Sequence, residues 1–129
     1  MNIRTILVAG FAACLIAAPA VAHHSFAMFD ASKVVTLDGT VKSFEWTNPH
    51  MWLTVTVPQA NGQAIEYPLE MQGIAGAVKL GWKRDTARPG DKISVNIHPL
   101  RDGTHGGQLL SVVLASGAKL GVMGQAPAQ

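Results

Sequence analysis

Three segments of this chain place an apolar side chain at every second position. Met51, Leu53, Val55 and Val57 alternate with Trp52, Thr54 and Thr56. Ile65, Tyr67, Leu69 and Met71 alternate with Glu66, Pro68 and Glu70, and Ile93, Val95 and Ile97 share one face of Asp91 to His98. A period of two puts each apolar set on one side of an extended strand, so these segments read as half-buried strands. Val34 to Trp46 is a further strand, β-branched with Gly39 at its middle, and Gln108 to Ser116 is a last apolar one that Lys119-Leu120 can extend. Glycine inside a strand marks a bulge or sharp bend. A bent first strand can pair in two sheets at once, which a small barrel requires.

The punctuation between strands agrees. Asn48-Pro49 turns the first strand into the second, in the stretch Phe44-Glu45-Trp46-Thr47-Asn48-Pro49-His50-Met51-Trp52. Asn61-Gly62 is a strong hairpin signal. Pro68 cannot donate to a ladder, which places its strand at an edge. Gly73 to Trp82 breaks the alternation. Ile74, Ala77 and Val78 fall at helical spacing, so a short helix is expected there, weakened by Gly73, Gly76 and Gly81. Strand, strand, strand, helix, strand, strand is the order of an OB-fold, which closes five strands on themselves. The expected fold is mainly β: a small OB-fold-like five-stranded barrel with one short helix, following a signal peptide. An open β-sandwich shares the alternation but not the helix placement.

Residues 1–22 have the parts of an export signal. Arg4 supplies the positive region, Ile6 to Ala18 the apolar region, and Ala20-Val21-Ala22 the small-x-small cleavage site. Phe11-Ala12-Ala13-Cys14 is a poor lipoprotein box. Cleavage after Ala22 would leave residues 23–120 as one barrel domain and residues 121–129, rich in Gly, Ala, Pro and Gln, as a flexible tail. Cys14 is the only cysteine and would leave with the signal. The expected location is periplasmic or secreted, with no disulfide and no stable membrane span after cleavage. The net charge is +2 and no basic run exceeds Lys83-Arg84, so a nucleic-acid partner is not expected.

Without thiols, the soft donors of the mature chain are its histidines and methionines: His23, His24, His50, His98 and His105 with Met28, Met51, Met71 and Met123. Such donors suit copper, and imidazole alone suits zinc, copper or nickel. Trimming to His23 would expose an α-amine beside an imidazole, a chelating pair. His24 adds a second ring, and His50 a third if the leader folds back over the Asn48-Pro49 turn. Trp46 or Trp52 could stack over a copper(I) ion there. The competing reading is ordinary: polar surface at the terminus, methionine packing at Met51 and Met71, and tryptophans plugging the barrel ends. His98 and His105 read as surface and loop residues, Glu66 and Glu70 as solvated, and Asp85, Asp91 and Asp102 as turn or cap residues. No phosphate loop, nucleophile elbow or acid–base carboxylate pair is identifiable.

The pieces His23-His24-Ser25-Phe26-Ala27, Val35 to Val41, Glu45-Trp46-Thr47-Asn48-Pro49-His50, Gly81-Trp82 with Arg84-Asp85, and Arg88-Pro89-Gly90-Asp91 together resemble a family of small exported bacterial proteins of unknown function. The resemblance runs from His23 to about Leu120 and implies no established activity. More distantly the chain is similar to periplasmic OB-fold proteins, one branch of which carries copper on His, Met and Trp. That likeness is one of architecture, and it does not transfer a ligand set.

The expectation is therefore an exported binding module, not an enzyme, with copper as candidate cofactor and His23, His24 and His50 as candidate metal ligands. The alternative is a metal-free structural module that meets an envelope protein or glycan through Trp52, Thr54 and Thr56. A copper oxidase would also need a third nitrogen ligand, an open coordination position and a substrate cleft, for which so short a chain leaves little room.

Overall fold

The computed structural model describes residues 26–122. The expected signal peptide, His23, His24, Met123 and residues 124–129 lie outside them. A 3-10 turn at Phe26–Met28 is followed by β1 (Val35–Glu45), β2 (Trp52–Pro58), β3 (Ala64–Glu70), α1 (Ile74–Lys79), β4 (Lys92–Pro99), β5 (Gly107–Val113) and β6 (Lys119–Gly121).

The antiparallel pairs β3–β2, β2–β1, β1–β4 and β4–β5 form a ribbon that closes where β3 meets β5 in parallel. The result is the expected five-stranded barrel with its helix between the third and fourth strands. β6 adds an antiparallel strand to β5, and Val122 is buried, so the first two residues of the expected tail belong to the barrel. The closing seam is short, with only Leu69↔Gly107 and Glu70↔Gln108 paired. Pro68 lies just outside the seam, where no N–H is asked of it.

β1 does bend to serve two partners. Val35 to Thr40 pair with β4, and Thr40 to Glu45 pair with β2. Gly39 sits at the changeover, so close to β2 that a Cβ there would lie 2.7 Å from Val55 Cγ1 and equally intrude on the Thr56 carbonyl. The bulge itself lies three residues on, between Val41 and Ser43, where Lys42 is the extra residue.

The alternating sets point inward as read. Met51, Leu53, Val55, Leu69, Val95, Ile97, Leu109 and Val112 are all essentially sealed from solvent. Each such side chain contributes about 1.5–3 kcal/mol by leaving water.

The helix is shorter than Gly73 to Trp82 implies, only six residues. Gly81, at φ 91°, ends it. The Gly81 and Trp82 N–H groups donate to the Val78 and Ala77 carbonyls, the pattern of a left-handed glycine cap. That cap swings Trp82 into the core, where its indole N–H donates to the Gly121 carbonyl at 2.9 Å. Phe44 packs against Trp82 and Trp46 at 5.8 and 6.0 Å between ring centroids. At the other end Gly73 has no side chain with which to cap the helix. Asn48 caps it from across the molecule, its Oδ1 accepting from the Ile74 N–H at 3.0 Å.

Candidate functional site

The hairpin between β2 and β3 fixes which side chains meet at the barrel mouth. The Asn61-Gly62 turn sets the register Val57↔Ile65, Val55↔Tyr67, Leu53↔Leu69 and Trp52↔Glu70. The pairing continues past both strands, with the Met71 N–H donating to the Met51 carbonyl and the Met51 N–H to the Gln72 carbonyl. Met51 and Met71 are buried on the inner face. By the period of two, His50, Trp52, Glu70 and Gln72 share the outer face.

An outer face at the end of a barrel is normally wet, and Glu70 reads as solvated on that basis. It is instead buried, its side chain only 7% exposed. Glu66, four residues earlier on the same face, is exposed and pairs with Lys42 at 2.6 Å, so the difference is local. Its cause is the segment before β1, which lies across this end. Phe29 bridges to Leu100, and the Asp30 N–H donates to the Pro99 carbonyl at 2.8 Å. The Arg101 N–H donates to the Met28 carbonyl, and its guanidinium Nε–H to the Ala27 and Phe29 carbonyls at 3.0 Å each.

His98, on β4, lies under this segment, a strap across the barrel end, which corrects the reading of it as a surface residue. It is 7% exposed, and its Nδ1 lies 2.7 Å from the Lys33 carbonyl, so Nδ1 carries the proton and donates. His105 is on the exposed β4–β5 loop, as expected, its ring in an edge-to-face arrangement with that of Tyr67. Asp30 closes the turn that follows the strap. The Ser32 hydroxyl at 2.6 Å, and then Lys33 at 2.9 Å, hold its carboxyl well below the usual carboxylate range. Thr104 does the same for Asp102, again lowering its pKa.

Under the strap is a pocket of about 60 Å³. Phe26 and Phe29 roof it, and Met71 and Val122 form apolar wall. Its polar lining is His50, Glu70, Gln72 and Gln108. His50 Nδ1 stands 2.5 Å from Glu70 Oε1. Two lone pairs cannot face each other at that separation, so a proton lies between them. With the imidazole neutral, that proton makes Nε2 the ring's basic nitrogen. Both polar side-chain atoms of Gln72 are buried, with no hydrogen-bond partner among the described residues.

Of the residues expected to hold a metal, His50 is at this pocket, while His23 and His24 lie outside the described residues. Among the described residues no group of three or more His, Cys, Asp or Glu is placed to hold a metal ion. Sequence reasoning missed Glu70 and Gln72. Counting the register back from Asn61-Gly62 would have set Glu70 opposite Trp52, beside His50. The cover over it depends on Arg101 and His98, which periodicity does not connect to the leader.

Fold and site together define a small closed β-barrel with a roofed polar pocket at one mouth. Residues 12–109 match the family of unknown function DUF6152, and the chain belongs to that family. No curated protein and no solved structure matched the chain. Among the described residues no helix is long and apolar enough to cross a membrane.

Proposed function

We propose that this protein is an exported envelope binding module whose ligand is a copper ion, held by His50 together with His23, its free α-amine and His24. The observation that carries this reading is the buried carboxylate behind His50, with Glu70 Oε1 2.5 Å from Nδ1. Metal-binding imidazoles almost always have their second nitrogen engaged by a carboxylate, carbonyl or water, which fixes the tautomer and raises ligand basicity. Phe26 supports it, because the roof of the pocket that His50 lines is only two residues from His24. Two residues span at most about 7 Å. A set of nitrogen donors favours copper(II) over the other divalent first-row ions.

The test uses mature protein beginning at His23, confirmed by intact mass after recovery from the periplasm. Copper(II) titration should show one site that weakens sharply in His50→Ala and in a chain carrying one extra residue before His23. Equal binding by both altered chains would overturn the reading. A metal-free preparation that retains its envelope partner would favour an interaction module instead.

A further inference from the structure

The cations of this chain are divided unevenly between partners and solvent. Among the described residues, Lys33, Lys42 and Arg88 pair with Asp30, Glu66 and Asp85, and the Arg101 guanidinium donates to the Ala27 and Phe29 carbonyls. The side chains of Lys79, Lys83 and Arg84 have no ion pair or hydrogen bond among those residues. All three lie in residues 78–84, which carry the chain from the end of α1 into the loop after it. Every residue of that run except Trp82 is exposed, Val78 by 55% and Leu80 by 37%. The acid that follows, Asp85, is already engaged by Arg88.

The run is held outward by fixed points. Gly81, at φ 91°, turns the chain out of the helix. Trp82 then anchors it, its indole N–H on the Gly121 carbonyl at 2.9 Å, and the Lys83 N–H donates to the Thr86 hydroxyl at 2.7 Å. Val78 and Leu80 are thereby presented beside three positive charges that nothing in the barrel neutralises.

That combination selects its cover. The charge calls for an anionic surface. Protein interfaces are depleted in lysine, bury about 800 Å² per partner and rely on aromatic anchors, and this run exposes no aromatic side chain. Aliphatic side chains that enter the acyl boundary, beside lysine and arginine heads that stay among lipid phosphates, are the parts of a contact lying on a membrane.

We infer that residues 78–84 are a membrane-docking tip, which seats the barrel reversibly on a bilayer of anionic phospholipid through Val78 and Leu80 with Lys79, Lys83 and Arg84. It goes beyond the copper reading and does not rest on it.

The test is cosedimentation of the metal-free chain beginning at His23 with vesicles of phosphatidylglycerol and phosphatidylcholine in equal parts, and with phosphatidylcholine alone. Starting at His23 keeps the apolar run Ile6 to Ala18 out of the assay. Binding should be confined to the anionic vesicles and vanish at about 1 M salt, where the screening length is about 3 Å. A cation near such a surface contributes about fivefold to partitioning, so Lys79→Gln, Lys83→Gln and Arg84→Gln together should lose about 100-fold. Lys33→Gln, Lys42→Gln and Lys92→Gln together remove the same charge elsewhere and should keep most of the binding. Leu80→Ser should weaken it at unchanged charge. All these side chains are exposed, so each variant should melt as the parent does. Equal binding to neutral vesicles, equal loss in the two triple variants, or no binding to anionic vesicles would each overturn the proposal. Capture by soluble poly-glutamate as tight as by vesicles, unaffected by Leu80→Ser, would also overturn it and mark an acidic protein as the partner. No arm contains copper, so either idea can fail while the other stands.

Discussion

The Asn48 side chain caps a helix that starts 26 residues further along the chain, its Oδ1 taking the Ile74 N–H at 3.0 Å. The mouth hairpin and α1 are thereby tied at one point. Gly73 is part of the same joint, since a Cβ there would come within 2.7 Å of the Pro49 carbonyl. Asn48→Ala removes the acceptor from a helix with no cap of its own. It should cost about 0.5–2 kcal/mol, whereas Asn48→Asp, which keeps an acceptor, should cost less. Urea midpoints of the three proteins check this, and equal losses in both variants would mean that the cap is not what Asn48 supplies.

Gly39 and Gly62 should respond to alanine for different reasons. At Gly39 the new Cβ meets backbone and Val55 across the barrel wall, a clash that cannot relax without parting β1 from β2. Overpacking of this sort costs about 1–3 kcal/mol or more. Gly62 has open space around it but a φ of 81°, so alanine there costs about 1 kcal/mol of backbone strain. Equilibrium unfolding should rank Gly39→Ala as the more damaging of the two.

Glu70 is expected to set metal affinity without touching the metal. Glu70→Leu leaves His50 Nδ1 without its carboxylate and should weaken copper(II) binding about 10–100-fold, with Glu70→Gln weaker in effect. Calorimetric titration of both variants measures this. Their metal-free stability should fall, because removing one partner of a buried pair leaves the other uncompensated, so affinity is compared at a temperature where both variants are folded. An unchanged copper affinity in Glu70→Leu would separate His50 from the ligand set.

Asp30 gives the strap a dependence on acidity. The Ser32 hydroxyl and Lys33 hold its folded pKa below the ordinary value, so the fold favours the carboxylate. The stabilisation is complete above the unfolded pKa of about 3.9 and is lost as pH falls toward the folded value. The melting temperature of the parent should exceed that of Asp30→Ala at pH 7, and the gap should close as pH drops below about 4. A gap that stays constant down to pH 2 would show that the carboxylate's charge is not involved.

Much of the barrel is written in local pattern. The period of two predicts the inner faces of β2 and β4, Asn61-Gly62 sets a hairpin register, and Pro68 falls where its strand lacks a second neighbour. The strand bend at Gly39 is legible too, although the bulge at Lys42 is not, because nothing in Val41-Lys42-Ser43 distinguishes it from regular strand. The site is harder to read. Glu70 and His98 look like surface residues because each strand alternates correctly at those positions. They are buried by a segment that arrives from elsewhere and docks through backbone carbonyls, which carry no residue signature. His50 stands out by residue type alone, and its neighbours stand out only once the register is known.

The seam that closes the barrel is two residue pairs long, and one of those pairs is Glu70 with Gln108, which also stand in the pocket wall. Parting the cylinder at that rung would empty the pocket, and a guest lodged between these side chains would hold the rung shut. Any molecule bound there would couple occupancy to the integrity of the barrel, acting as its latch.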